Sequence, residues 1–321
     1  MEVLNLDPGQ NHADNVYGIT GSAIVAQSPI AASWRRSLVY HGLNPEAQQR
    51  PCALTASELN KAKDRISELL SLAQPALDRL FCALGDSGCC VIMTDADGVV
   101  CDIRCKPGDQ EEFTAVGLHR GGVWREETEG TNGIGTCLAE KQPVIVHRSQ
   151  HFHTRNTEMS CIDAPIFDHR GRLIAALDVS TCRSDHTESN ARIMAMVVND
   201  AARHIEAQLF HAAYSEARIV VAEAGLKSGP VLLAIDQDDL IVGATRAARK
   251  LFKLRDGWSS TPRPANDVLV GRRQRSDIST AIRGEVQRAL ARSKGNISEA
   301  AKDLGIGRAT MYRRLKSLGL R

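Results

Sequence analysis

Three groups of residues in this 321-residue chain have types and spacings that could do chemistry. The first is NISEAAKDLGIGRATMYRRLKSLGLR (296–321). At about 100° per residue, Met311, Leu315 and Leu318 share one helix face, while Ala309, Arg313 and Lys316 point the opposite way. Thr310 and Tyr312 lie on the flanks. Such a basic outer face, with a small residue near the helix start, lets a base edge approach. Arg308, Ala309, Thr310, Arg313 and Lys316 are the candidate contacts to DNA bases, and Tyr312 and Arg314 the candidates for phosphates.

The second group is the run EGTNGIGT (129–136). Its glycines and hydroxyls either line a pocket with backbone amides or only shape a buried turn. Trp124, Thr131, Asn132, Cys161 and Asp163 are the candidate contacts for a small ligand. The third group is nine cysteines with His147, His151 and His153. Cys89-Cys90 and Cys101/Cys105 flank a turn signal and could pair across it as a redox sensor, or serve as small core residues. The histidines lack a paired C-x-x-C, so no metal is expected. No nucleophile elbow, HExxH or kinase-like set occurs, so no catalytic residue is expected and the chain reads as no enzyme.

The elements that must carry these groups follow from periodicity and turn chemistry. Residues 1–27 read as a flexible polar arm, and 28–87 as a helical segment. Within that segment, Ser28 to Leu43 is a short helix starting at Pro29. A capping box at Thr55/Glu58 opens a long stripe through Leu59, Ala62, Ile66, Leu69, Ala73, Leu77, Leu80 and Leu84, which Pro75 should kink or divide. From 88 to 187 strand signals dominate. CCVIMTD and VVCDIRC flank Asp97-Gly98, PVIVH is a third strand, and APIF and RLIAALDVST flank Asp168–Gly171. A connecting helix is expected over 188–223, with Ile193, Val197, Ala201, Ile205, Leu209 and Ala212 along one side. A small α/β stretch at 224–255 precedes a linker rich in Pro, Gly, Ser and Asp at 256–276. Residues 277–321 should be helical. There Asn296 and Glu299 signal a helix start, and Gly305 and Gly307 a tight turn between two short helices, the helix-turn-helix pattern. The fold class expected is α+β, an antiparallel sheet flanked by long helices and followed by an all-α end.

Charge divides the chain the same way. The net charge is +2, yet residues 271–321 hold 13 Lys/Arg against 4 Asp/Glu, leaving an acidic body. One end is built to meet a polyanion. No run of about 18 apolar residues occurs, and the acidic, polar start is not a signal peptide, so the expected compartment is the cytoplasm with reduced thiols and no membrane contact.

The motifs resemble a known architecture. ISEAAKDLGIGRATMYRRLKSLGL, preceded by IRGEVQRALARS, looks like the Fis-type helix-turn-helix that ends many bacterial transcription regulators. IAASWRRSLVYHGLNPE, WREETEGTNGIGTCLAEKQPV and HFHTRNTEMSCIDAPIFDHRGRLIAALDVST resemble the opening and GAF sensor domain of acetoin-catabolism-regulator-like activators of sigma-54 polymerase. Residues near 225–254 are similar to the PAS-like segment that follows. The resemblance implies a homodimer on double-stranded operator DNA, a small-molecule effector with no fixed cofactor, and contact with RNA polymerase. One departure matters. Those activators carry a AAA+ ATPase between sensor and DNA reader, whereas here no Walker A loop occurs and roughly 25 residues fill the interval. Without ATPase activity, the chain is expected to join a sensor directly to a DNA reader. Two further roles stay open, an antagonist pairing with full-length activators and a GAF-based thiol redox sensor.

Overall fold

The computed structural model describes residues 10–21, 28–49, 51–222, 229–254, 263–269 and 278–320. The chain divides into two compact units, 1–262 and 263–321.

The N-terminal residues correct the expectation of a flexible arm. Helix α1 (His12–Thr20) buries Ala13, Val16 and Ile19. Its partner is α2 (Pro29–Arg35), capped by Ser28 and continued by a wider π turn over Arg36–Tyr40. Val16, Ile19, Ile30, Ala31 and Trp34 close on Val146 and Phe152 from far along the chain. Three apolar residues at helical spacing are too few to stand out in a polar run, yet enough to dock a short helix. Residues 1–9 and 22–27 of the expected arm lie outside the described residues.

The Thr55/Glu58 capping box forms and opens α3 (Ala56–Arg65). The expected break at Pro75 is corrected. The chain breaks at Ile66 (φ −119°), and α4 (Ser67–Leu84) continues through Pro75 without interruption. Pro75 and Ser71 both face solvent, where water can take the carbonyl that proline leaves without a donor. The apolar stripe itself is placed as read, with Ala62, Ile66, Leu69, Ala73, Leu77 and Leu80 buried.

The strand signals become a five-stranded antiparallel sheet in the order β2-β1-β5-β4-β3. Strands β1 (Cys89–Asp95) and β2 (Val100–Arg104) form the hairpin around Asp97-Gly98, with Gly98 at φ +72°. Two short helices, α5 (Gln110–Val116) and α6 (Glu126–Glu129), precede α7 (Gly133–Glu140). Then come β3 (Val144–His147) and the second hairpin, β4 (Ser160–Phe167) and β5 (Leu173–Thr181). Period-two alternation sorts each strand between two cores. Cys89, Val91, Met93, Ile162, Ala164, Leu177 and Val179 face α4 and the long helix α8 (Glu188–Ala213). Cys90, Ile92 and Cys161 face the other way, toward Phe113, Trp124 and Ile134.

Helix α8 differs from the expectation twice. It ends at Ala213 rather than near 223, because Tyr214 packs on Phe210 (4.8 Å between rings) and the chain turns into β6 (Arg218–Val221). Its buried face is Ala191, Met194, Val198, Ala202, Ile205 and Leu209. Ile193 and Val197, read along one side with Ile205 and Leu209, stay exposed while those two are buried. Two apolar faces compete on this helix, and the one bearing Ala191 and Ala202 admits the closer approach to the sheet.

The small sheet adds β7 (Leu232–Ile235) and β8 (Ile241–Ala244) in the order β6-β7-β8, followed by α9 (Arg246–Leu251). It therefore begins at Arg218, six residues before the expected boundary. In the second unit, α10 (Ala265–Leu269) forms within the stretch read as linker, while 255–262 and 270–277 lie outside the described residues. Helices α11 (Ile278–Arg292), α12 (Ile297–Asp303) and α13 (Arg308–Ser317) complete it. The first of these starts four residues earlier than read.

Candidate functional site

In the second unit, local chemistry sets the geometry. Asn296 Oδ1 accepts the backbone N–H groups of Ser298 (3.0 Å) and Glu299 (3.3 Å), starting α12. Gly305 sits at φ +62°, a conformation that favours glycine, and Gly307 opens α13. Val286, Ala289, Ala300, Ala301, Met311 and Leu315 form the core, with Leu318 packed at its edge. Arg292 bridges Glu285 on its own helix and Asp303 on α12, at 3.4 and 2.7 Å.

That packing leaves one face of α13 outward. Arg308, Ala309, Tyr312, Arg313 and Lys316 are exposed, and Thr310 and Arg314 are half-buried. The Arg308 guanidinium lies 5.7 Å from the Tyr312 ring centre, and Arg313 donates to Thr310 Oγ1 at 3.4 Å. Five of the seven candidate residues are thus accessible on a basic face, with Thr310 and Arg314 half-buried at its edges. That face offers planar guanidinium donors, suited to phosphates and to guanine edges.

In the first unit, the run 124–136 is a clamp. Asn132 Oδ1 accepts Gly135 N–H (2.8 Å) and its amide donates to Gly130 O (2.9 Å), so Asn132 is spent on capping α7. Thr131 faces Ser33 Oγ at 2.7 Å. Ser33 also donates to Glu126 (2.6 Å), whose carboxylate takes two bonds from Arg36. Thr131 and Asn132 thus shape and tether the turn, while Cys161 and Asp163 belong to β4 and Trp124 packs in the same core as Cys161. A Cβ on Gly135 would stand 2.6 Å from Glu126 N, so the loop closes on its own backbone there.

Behind this loop the sheet is polar. Asp163 and Asp178 are directly opposed on β4 and β5, and both are buried. Ser180 Oγ sits 2.8–2.9 Å from both Asp178 oxygens. Burial raises both carboxyls, and for Asp163 the neighbouring Asp178 raises it further, so the pair favours holding a proton. Near them His151 Nδ1 bonds Arg148 O (2.9 Å), which turns Nε2 toward Cys161 Sγ at 3.4 Å. Burial lowers His151 and His153 to about 4, so both rings are neutral near pH 7. His147 contacts Ser160 instead. Among the described residues no group of three His, Cys, Asp or Glu is placed to hold a metal ion.

All nine cysteines are free. Cys89 and Cys101 lie on the α4–α8 side of the sheet, while Cys90 and Cys105 lie on the opposite side. Burial pushes Cys89 up to about 11, Cys101 to about 12, and Cys90 and Cys161 higher than their ordinary values. These thiols are therefore poor thiolates, which weighs against redox chemistry at this hairpin.

Ser33, Arg36, Glu126 and Asp178 were absent from the sequence reading. The first two sit in an ordinary-looking helix, and their partners lie about 90 residues away. Asp178 carries one signal, an acid inside an otherwise apolar strand, LIAALDVST.

Residues 68–205 match the GAF domain family, and residues 283–318 match the Fis family of bacterial regulatory proteins. The chain therefore carries a GAF domain and a Fis-family helix-turn-helix. It is 30% identical over 239 residues to the acetoin catabolism regulatory protein of Cupriavidus necator, covering 73% of this chain and 36% of that protein. It is 31% identical over 151 residues to the acetoin dehydrogenase operon transcriptional activator AcoR of Bacillus subtilis, covering 47% of this chain and 25% of that one. The chain thus spans about a third or less of the length of these curated relatives. A chain in the crystal structure of the E. coli DhaR(N)–DhaL complex shares the fold (TM-score 0.53, 16% identity, 72% of this chain and 78% of that one). Among the described residues no helix is long and apolar enough to cross a membrane.

Proposed function

We propose that this chain, a GAF domain followed by a Fis-family helix-turn-helix, is an intracellular transcriptional regulator that reads DNA through α13 and responds to a small effector through the GAF domain. The observation that carries the reading is the accessible basic face of α13, held outward by a small apolar core. One such helix reads one half-site, so two copies act together on operator DNA. Arg308, Ala309, Thr310, Arg313 and Lys316 face base edges; Tyr312 and Arg314 hold phosphates. The effector meets the GAF domain near Trp124, Cys161 and Asp163, and its binding alters the paired arrangement and hence operator affinity. RNA polymerase is the downstream partner. The interval between the two domains leaves no room for an ATPase, so regulation runs through occupancy of the operator.

A gel shift on the DNA upstream of the gene, at two salt concentrations, tests this. Full-length protein should shift the DNA, the shift should weaken as salt rises, and a truncation lacking 277–321 should lose it. A truncation that still binds would sink the reading. Within the tail, Arg313→Ala should weaken specific binding by about 1–3 kcal/mol without changing the helical signal in circular dichroism. An unchanged affinity would show that Arg313 does not meet a base.

A further inference from the structure

Asp163 and Asp178 form an acid pair with nothing positive beside it. They are directly opposed on β4 and β5, and both are fully buried. Two carboxyls this close in a dry core cannot both ionise, so they hold at least one proton between them. The groups around them supply no countercharge. Ser180 Oγ serves Asp178 from β5, and Val144 stands opposite Asp163 on β3. Cys161 on β4, Cys90 on β1 and Cys137 on α7 are neutral thiols, and His151 is neutral and turned to Cys161. Among the described residues no Lys or Arg acts on either carboxyl. Apart from a proton shared with Asp178, neither Asp163 oxygen has a donor.

The start of α7 rests on this pair. Gly133 has no side chain, and a Cβ there would stand 2.0 Å from Asp163 Oδ2, so the first turn covers the carboxyl with backbone alone. Helix α7 and the turn before it are in turn tied to α2. Thr131 and Thr136 meet Ser33 Oγ at 2.7 and 3.3 Å, and Glu140 pairs with Arg36 at 2.7 Å. We infer that the acid pair is a proton-operated seat for α7. With both acids neutral the helix rests on the sheet; release of one proton to water lifts its start and shifts α2 with it. The cause is desolvation. A carboxylate left in the pair finds no N–H in the first turn of α7, and a buried charge without partners is costly. It gains water when that turn moves off. Burial brings Asp178 up to about 7, which puts the release near neutral pH, and the seated state is lost as pH rises through that value. Trp124 and Asp163 are contacts proposed for the effector, so the same proton sets how the sensor meets it. That consequence rests on the effector reading above; the seat does not.

Two tryptophans report the movement in the full chain. Trp124 lies against α7, where a Cβ on Gly135 would stand 2.8 Å from its carbonyl oxygen, and Trp34 sits on α2; both are buried. From about pH 5.5 to 8.5, acrylamide quenching of tryptophan emission should rise about twofold in the wild type. Asp163→Asn keeps the shape, and its amide can donate to Asp178, so quenching should stay low across the range. Glu206→Gln removes the other acid that burial brings to about 7 and should keep the rise. Infrared difference spectra of Glu206→Gln should lose a protonated carboxyl band over the same interval, a readout that holds even where Asp163→Asn fails to fold by circular dichroism. Flat quenching in the wild type, a rise that survives Asp163→Asn, or no band lost in Glu206→Gln would overturn the inference. None of these measurements contains DNA or an effector, so such a failure leaves the proposed regulatory role standing, and a failed gel shift leaves the seat standing.

Discussion

Gly133→Ala is expected to destabilise the GAF domain by about 3 kcal/mol, the upper part of the range for forcing a carbon into a packed core. A Cβ at this position would stand 2.0 Å from Asp163 Oδ2 and 2.5 Å from Cys161 Cβ. Neither neighbour can yield cheaply. Cys161 Cβ is fixed to the backbone of β4, and the Asp163 carboxylate is wedged against Asp178. The start of α7 would have to lift off the sheet, straining the Asn132 cap and the Thr131–Ser33 contact that tethers α2. Gly18→Ala is the matched control, since a Cβ there meets nothing within 4 Å. In mid-helix it should gain up to about 1 kcal/mol. Urea denaturation of the two variants beside the wild type checks both. Equal midpoints would mean that α7 does not sit as close to β4 as described.

Stability should also fall as pH rises from about 4.5 to 7, and Glu206→Gln should remove part of that fall. Glu206 lies on α8, and its carboxylate accepts the Phe167 N–H at 2.9 Å. Burial pushes its carboxyl up to about 7, against the pull of that bond and of Arg246 and Arg203. A folded pKa above the unfolded one means that the folded state binds the proton more tightly. The contribution is therefore complete below the unfolded value, near 4.5, and is lost as pH rises through 7. Glutamine keeps an acceptor for Phe167 but carries no charge to desolvate. The variant should match wild type at pH 4.5 and exceed it at pH 8 by no more than about 3 kcal/mol. Asp163 and Asp178 are raised in the same sense, so some slope should persist in the variant. Parallel curves for the two proteins across this range would show that Glu206 titrates as an exposed acid.

Much of the architecture was legible because it rests on local rules. Asp97-Gly98, Asp168–Gly171, Thr55 with Glu58, and Asn296 with Gly305 are turn and cap signals that act within a few residues, and each forms the element read from it. The α13 face was legible for the same reason, since Met311 and Leu315 are buried and Arg313 and Lys316 are exposed as helical spacing requires. The misreadings share a cause. The cost of Pro75 depends on whether the Ser71 carbonyl faces water, which only packing decides. Helix α8 carries two apolar stripes that a single helix cannot rank. The arm was read as polar because Val16 and Ile19 find Trp34 only after the chain folds.

The sensor shows the division most plainly. From EGTNGIGT alone, a ligand loop and a buried turn were equally good readings, and a choice between them needs partners the run does not contain. Those partners are Ser33 and Arg36, about 90 residues upstream, and Asp163 with Asp178, brought together by strand register. By itself the sequence determined where helices and hairpins start and stop, and which end is basic, because those properties depend on neighbours within a turn or two. Only the tertiary structure decided which of its two apolar faces α8 buries and which acids are raised. Those outcomes depend on desolvation and close packing between segments far apart in the chain.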